Sequence, residues 1–140
     1  MATATRPPDV AIELEHIHGI RCEDVRNNVW YNHRGEIVYM AANVGIVYNM
    51  DTAKQRFFTG HSDEIISIAL HTQSGRTLVA TGEMGPRPKV IVWDAASGEC
   101  TRTLKGHTGA VSSAAVSADG VHVVTASEDK TARVWRLADG

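Results

Sequence analysis

Residues 106–135 read GHTGAVSSAAVSADGVHVVTASEDKTARVW. After the Gly-His pair, Val111, Ser113 and Ala115 alternate with their neighbours, the period-two pattern of a half-buried strand. The Asp119-Gly120 turn follows, then a second strand from Val121 to Thr125. A turn through SEDK leads to a third strand, Thr131 to Trp135. An earlier stretch, residues 60–93, repeats this order: GHSDEIISIALHTQSGRTLVATGEMGPRPKVIVW. Its alternating run is Ile66, Ile68 and Leu70, its turn Ser74-Gly75, and its later strands Thr77 to Thr81 and Val90 to Trp93. The Gly-His pairs lie 46 residues apart and the tryptophans 42 apart, the GPRP stretch from Gly85 to Pro88 lengthening one turn. Beyond Trp93 a DAASGE turn gives way to a fourth strand, Cys100 to Leu104.

Four short antiparallel strands on a period of about 40–45 residues are the pattern of a WD-repeat propeller blade. The reading is therefore all-β. The repeat extends backwards in weaker form. Gly19-Ile20 stands where Gly60-His61 stands, and Tyr48 where Trp93 stands. Candidate strands lie at Asn28 to Tyr31, Ile37 to Met40, Gly45 to Tyr48 and Gln55 to Phe58, with an Arg34-Gly35 turn. The expected organisation is a disordered leader over residues 1–11 and a partial propeller over 12–140. Its blades fall at about 19–58, 60–104 and 106–140, the last lacking its outer strand. The segment IELEHI, Ile12 to Ile17, takes the place of an outer fourth strand before Gly19, so twelve strands are expected.

Propellers close with about 4–8 blades. Two readings of three blades stand side by side. The chain is a piece of a longer tandem-propeller protein, or it forms a head-to-tail homo-oligomer in which the spare N-terminal strand of one subunit completes blade three of the next.

WD-repeat families link a buried histidine, a Ser or Thr, an Asp and the Trp by hydrogen bonds. Carried over, the last blade has His107, Thr125, Asp129 and Trp135. The middle blade keeps His61, Thr81 and Trp93 but lacks the turn Asp, so its network should be weaker. A buried indole N–H needs an acceptor, and a histidine between hydroxyl and carboxylate satisfies all three. Because the set recurs on a repeat, and no nucleophile elbow accompanies it, it reads as architecture rather than a hydrolase triad. No phosphate-cradling GxxxxGK[ST] or GxGxxG occurs. No catalytic residue or cofactor site is expected. His16 and His18 could share a strand face, but two histidines fall short of a structural zinc set, so no metal is expected. Of Trp30 and Tyr31, one is expected to pack between blades, and for Phe57 and Phe58 core or blade–blade packing is expected.

The 140 residues suit one domain, and a 43% hydrophobic content suffices for a modest core. A net charge of −2 gives no electrostatic footprint for nucleic acid and no polybasic membrane patch. MATATRPPDV has no apolar run like a signal peptide's, and no stretch reaches the ~20 apolar residues of a membrane helix. The cytoplasm is the expected compartment, with Cys22 and Cys100 reduced.

The first blade is the informative one. IHGIRCEDVRNNVWYNHRGEIVYMAANVGIVYN, Ile17 to Asn49, resembles the hydrophobic motif of echinoderm-microtubule-associated-protein-like (EMAP-like) proteins. So does QRFFTGHSDEIISIALH, Gln55 to His71, and VATGEMGPRPKVIVWD, Val79 to Asp94, fits the same family. The resemblance covers residues 13 to 96. It implies a non-enzymatic protein-binding module that associates with tubulin or microtubules, in the cytoskeleton or a cilium. Some members add a basic coiled-coil segment; this chain shows no heptads and no basic leader, so weaker lattice binding is expected. The alternative is a general WD-repeat scaffold of a ciliary or ubiquitin-ligase assembly.

Overall fold

The computed structural model describes residues 14–137. Among them lie eleven strands and no helix. The first sheet contains β1 (Val29–Tyr31), β2 (Ile37–Ala41), β3 (Val44–Asn49) and β4 (Lys54–Thr59). The second contains β5 (Ile65–Gln73), β6 (Arg76–Glu83), β7 (Lys89–Asp94) and β8 (Cys100–Lys105). The third contains β9 (Val111–Val116), β10 (His122–Ser127) and β11 (Ala132–Arg136). Every pairing is antiparallel between sequence neighbours, so each sheet is a meander and a propeller blade.

The blades are held face to face by two apolar layers. Val38, Met40, Val47 and Phe58 of the first blade meet Ile65, Ile68, Val79, Ile91 and Trp93 of the second. Ala80, Val90 and Val92 leave the opposite face of the second blade to meet Val111 and Val123 of the third. Residues 79 and 80, and 90 through 93, thus face alternate layers, as the strand pleat requires. A strand buried on both faces reads as a continuous apolar run, which is why VIVW, Val90 to Trp93, shows no alternation.

Close approach between blades depends on two glycines. A Cβ at Gly45 of β3 would overlap Cη2 and Cζ2 of Trp93. One at Gly82 of β6 would lie 2.6 Å from Val111 Cγ1 and 2.5 Å from Ser67 Oγ. Phe58 completes the first joint, its ring centroid 3.2 Å from that of Trp93.

Three expectations are corrected. Leu14 to Ile17, the described part of IELEHI, is not a strand; it lies beside β4, where Gln55 Oε1 accepts from the Ile17 N–H (2.6 Å) and Gln55 Nε2 donates to its carbonyl (3.0 Å). The proposed leader, residues 1–11, lies outside the described residues. Neither Trp30 nor Tyr31 is packed between blades: they are 37% and 64% exposed on β1, the edge strand of its sheet, with Trp30 facing an open cavity rather than a packed joint. In β5 the alternating face is broken by a register shift between Ile65 and Ser67, which turns Ile65 inward and leaves Ile66 half-buried.

Candidate functional site

In the third blade, Trp135 Nε1 donates to Thr125 Oγ1 (2.8 Å), and Thr125 Oγ1 lies 2.8 Å from His107 Nε2. His107 Nδ1 lies 2.7 Å from Asp129 Oδ2. The same carboxylate accepts from the Thr108 and Thr131 amides at 3.1 and 2.9 Å and from the Thr131 hydroxyl at 2.6 Å. These bonds, the Thr131 hydroxyl foremost, hold the Asp129 carboxyl well below the usual carboxylate range.

The second blade has the same chain. Trp93 Nε1 donates to Thr81 Oγ1 (3.0 Å), which lies 2.7 Å from His61 Nε2. Its carboxylate is the correction. Glu83, at the end of β6, sets Oε2 2.9 Å from His61 Nδ1. It also accepts from the amides of Ser62 and Lys89, each at 2.9 Å. The turn GEMGPRP does not remove the acid but moves it into the strand, where the longer glutamate side chain spans the gap. The donors form one directed series: indole N–H to threonine oxygen, threonine O–H to Nε2, and Nδ1–H to the carboxylate. Burial lowers the His61 pKa despite the neighbouring Glu83. Burial alone would raise Glu83, but the bonds from His61, Lys89 and Ser62 lower it. The pair is therefore a neutral imidazole donating to a carboxylate. Each ring nitrogen and carboxylate oxygen is committed to the fold, so the set offers no free base or nucleophile.

The first blade, with Ile20 and Tyr48 in the matching places, has no such chain. Its polar cluster lies at the opposite end, in the β1–β2 and β3–β4 turns. Glu36, 4% exposed, accepts from Asn32 Nδ2 (2.7 Å), Asn49 Nδ2 (3.2 Å), and Arg56 Nη1 and Nη2 (2.8 and 2.6 Å). The Arg56 bonds are the main reason its pKa falls to about 2. Arg56 Nη2 continues to the Ala95 carbonyl of the second blade (3.2 Å), and His33 Nδ1 meets Thr77 Oγ1 of β6 (2.9 Å). The first blade is thereby stapled to the second by polar bonds as well as by the Gly45–Trp93 contact.

Comparison with known proteins fits this geometry. The HELP motif model matches residues 7–46, and the model described as WD domain, G-beta repeat matches residues 98–136. The ciliary WD repeat-containing protein ctxp80 of Euplotoides octocarinatus is 37% identical over 65% of this chain and 15% of its own. The 77 kDa echinoderm microtubule-associated protein of Strongylocentrotus purpuratus is 33% identical over 69% of this chain and 15% of its own. Human echinoderm microtubule-associated protein-like 2 is 34% identical over 68% of this chain and 16% of its own. The chain is a WD-repeat protein related to the echinoderm microtubule-associated proteins. It spans 15–16% of the length of these three relatives.

The HELP-motif segment includes β1, β2 and the start of β3, and so ends where Gly45 admits Trp93. Ahead of β1, Arg21 bonds Asp24 (2.7 Å) and Glu64, fixing the entry segment against the β4–β5 connection. That segment, with Trp30, β5 and β9, lines an open axial cavity of about 560 Å3. Trp30 Nε1 there donates to the Asn27 carbonyl (2.7 Å). The His16 and His18 ring centroids lie 4.3 Å apart with the planes tilted by 37°, and His16 Nε2 is 3.1 Å from Gln55 Nε2. No cluster of three metal-ligating side chains occurs among the described residues.

Sequence reasoning missed Glu83, Glu36 and Arg56. A signal for Glu83 was present, since it is the one acid between Thr81 and Lys89. Glu36 and Arg56 had none, because their pairing joins the β1–β2 turn to strand β4, 20 residues on.

Proposed function

We propose that this chain acts as a microtubule-associated interaction module, with the HELP-motif blade as the part that sets it apart from WD repeats in general. One observation carries the reading: the HELP segment lies in a blade seated on its WD-type neighbour through Gly45 and Trp93, and relatives that match over about two thirds of the chain are named as microtubule-associated proteins. The buried networks leave turns and blade edges, rather than a reaction centre, as the usable surface. Such a module works by holding a partner, and its place is the cytoskeleton. The ciliary relative favours the axoneme as one site of action.

Co-pelleting of the purified chain with taxol-stabilised microtubules tests this, with gel filtration against unpolymerised tubulin alongside. Saturable pelleting, or co-elution with the dimer, is the expected result. A folded chain that stays in the supernatant and elutes apart from tubulin would overturn the proposal.

A further inference from the structure

We infer that the seam between the second and third blades holds a binding groove for an acidic peptide. The groove encloses about 580 Å3 and is lined by Arg87, Lys89 and Lys105 of the second blade and by the Gly106–Thr108 connection. No carboxylate lines it. A fourth cation, Arg133 of β11, stands over Gly106, its Nη1 2.8 Å from where a Cβ would lie. Its guanidinium is 5.9 Å from the Trp135 ring centroid. Arg87, Lys105 and Arg133 form no ion pair among the described residues.

This concentration of positive charge is costly to the fold. Lys89 and Lys105 are direct cross-strand partners in the β7–β8 register. Like charges directly opposite repel. Lys89 Nζ reaches only the Gly60 carbonyl (2.9 Å). Two buried acids close by are committed elsewhere: Glu83 to His61 and the Lys89 amide, Asp129 to His107 and its own turn. A net charge of −2 for the whole chain makes the patch a local feature rather than a basic surface of the kind nucleic acid requires.

The chemistry favours carboxylates over phosphate. Phosphate sites at helix ends and backbone nests use converging N–H groups. Here the Thr108 amide donates to Asp129 and the Lys89 amide to Glu83. What remains is a row of separate cations, suited to side-chain carboxylates spaced along an extended peptide. The inference rests on reading the chain as an interaction module but not on the identity of the microtubule partner. A failed pelleting assay and a failed peptide titration are therefore separate results.

The test is fluorescence anisotropy with a fluorescein-labelled hexaglutamate peptide and its hexaglutamine counterpart. Expected is saturable binding of hexaglutamate alone, weakening as salt rises. Arg87→Ser with Lys105→Ser, two exposed positions, should weaken it about tenfold. Lys54→Ser on β4 should leave it unchanged. Equal binding of hexaglutamine, equal loss in the Lys54 variant, or tighter binding of a singly phosphorylated neutral peptide would each overturn the assignment. Acetylation footprinting of the unaltered chain, read by mass spectrometry, is independent of any variant's folding. Hexaglutamate should protect Lys89 and Lys105 and leave Lys54 reactive; uniform reactivity would refute the groove.

Discussion

Glu83 Oε2 lies 2.9 Å from His61 Nδ1, where the third blade has Asp129 Oδ2 2.7 Å from His107 Nδ1. The two carboxylates do the same task from different backbone positions. Glu83 comes from a strand and Asp129 from a turn. Glu83 is 1% exposed, and its partners are the first turn of its own blade and the amide that opens β7.

Glu83→Ala should therefore be among the most damaging single changes in the middle blade. It removes the acceptor of the His61 Nδ1–H and of two amide donors. Each unsatisfied buried group costs about 1–3 kcal/mol, so a loss of at least about 3 kcal/mol is expected by urea denaturation. Glu83→Gln should lose less, since one oxygen still accepts. A Glu83→Ala chain within about 0.5 kcal/mol of the parent would show that water replaces the carboxylate.

Gly45 should not tolerate a side chain. Its Cβ would occupy the Trp93 ring edge, and Trp93 is pinned by Thr81 and Phe58. Overpacking of this kind costs about 1–3 kcal/mol. Gly45→Ala should be partly relieved in a Trp93→Phe background, giving a coupling of about 0.5–3 kcal/mol in a double-mutant cycle. Strict additivity would mean that the blades separate rather than overlap.

This contact also shows how far the sequence could be read. The Gly-His and Trp landmarks and the turns made an all-β chain of short antiparallel strands legible, because these signals are local. The joints between blades were not local. Nothing near Gly45 announces that Trp93 will lie on it. Nothing near β5 announces that a bulge will bury Ile65 instead of Ile66. The middle-blade acid was missed for a related reason: the family pattern assigns it to a turn, and here it sits two residues after Thr81 in the strand.

The Glu36–Arg56 pair should stabilise the joint at the opposite end. Arg56→Met leaves the Glu36 carboxylate buried with only Asn32 and Asn49 and removes the bond to the Ala95 carbonyl. Breaking a buried pair costs about 3–5 kcal/mol. With Arg56 37% exposed, solvent screening reduces the expectation to about 2 kcal/mol. Adding Glu36→Gln should recover part of the loss in thermal unfolding. If the double variant is no more stable than Arg56→Met, the carboxylate was not the group left uncompensated.

Acid should weaken the two ends of the blades in different pH windows. Burial lowers the His61 pKa in the folded chain, so below about 6.5 the unfolded chain binds the extra proton more readily. The stability held by neutral His61 is complete above that value and is lost as pH falls through the folded pKa. Glu36 follows the same sign from a lower start. Its carboxylate is depressed to about 2, so its contribution is complete above the usual glutamate value of about 4.5 and disappears as pH falls toward 2. Urea midpoints at pH 7.5 and 5.5 separate the two. The drop over that interval should shrink in His61→Asn, which cannot charge. It should persist in the Glu36→Gln, Arg56→Met double variant, whose missing pair titrates outside the interval. An unchanged drop in His61→Asn would assign the acid sensitivity to another histidine and remove the directed donor series from the account of the middle blade.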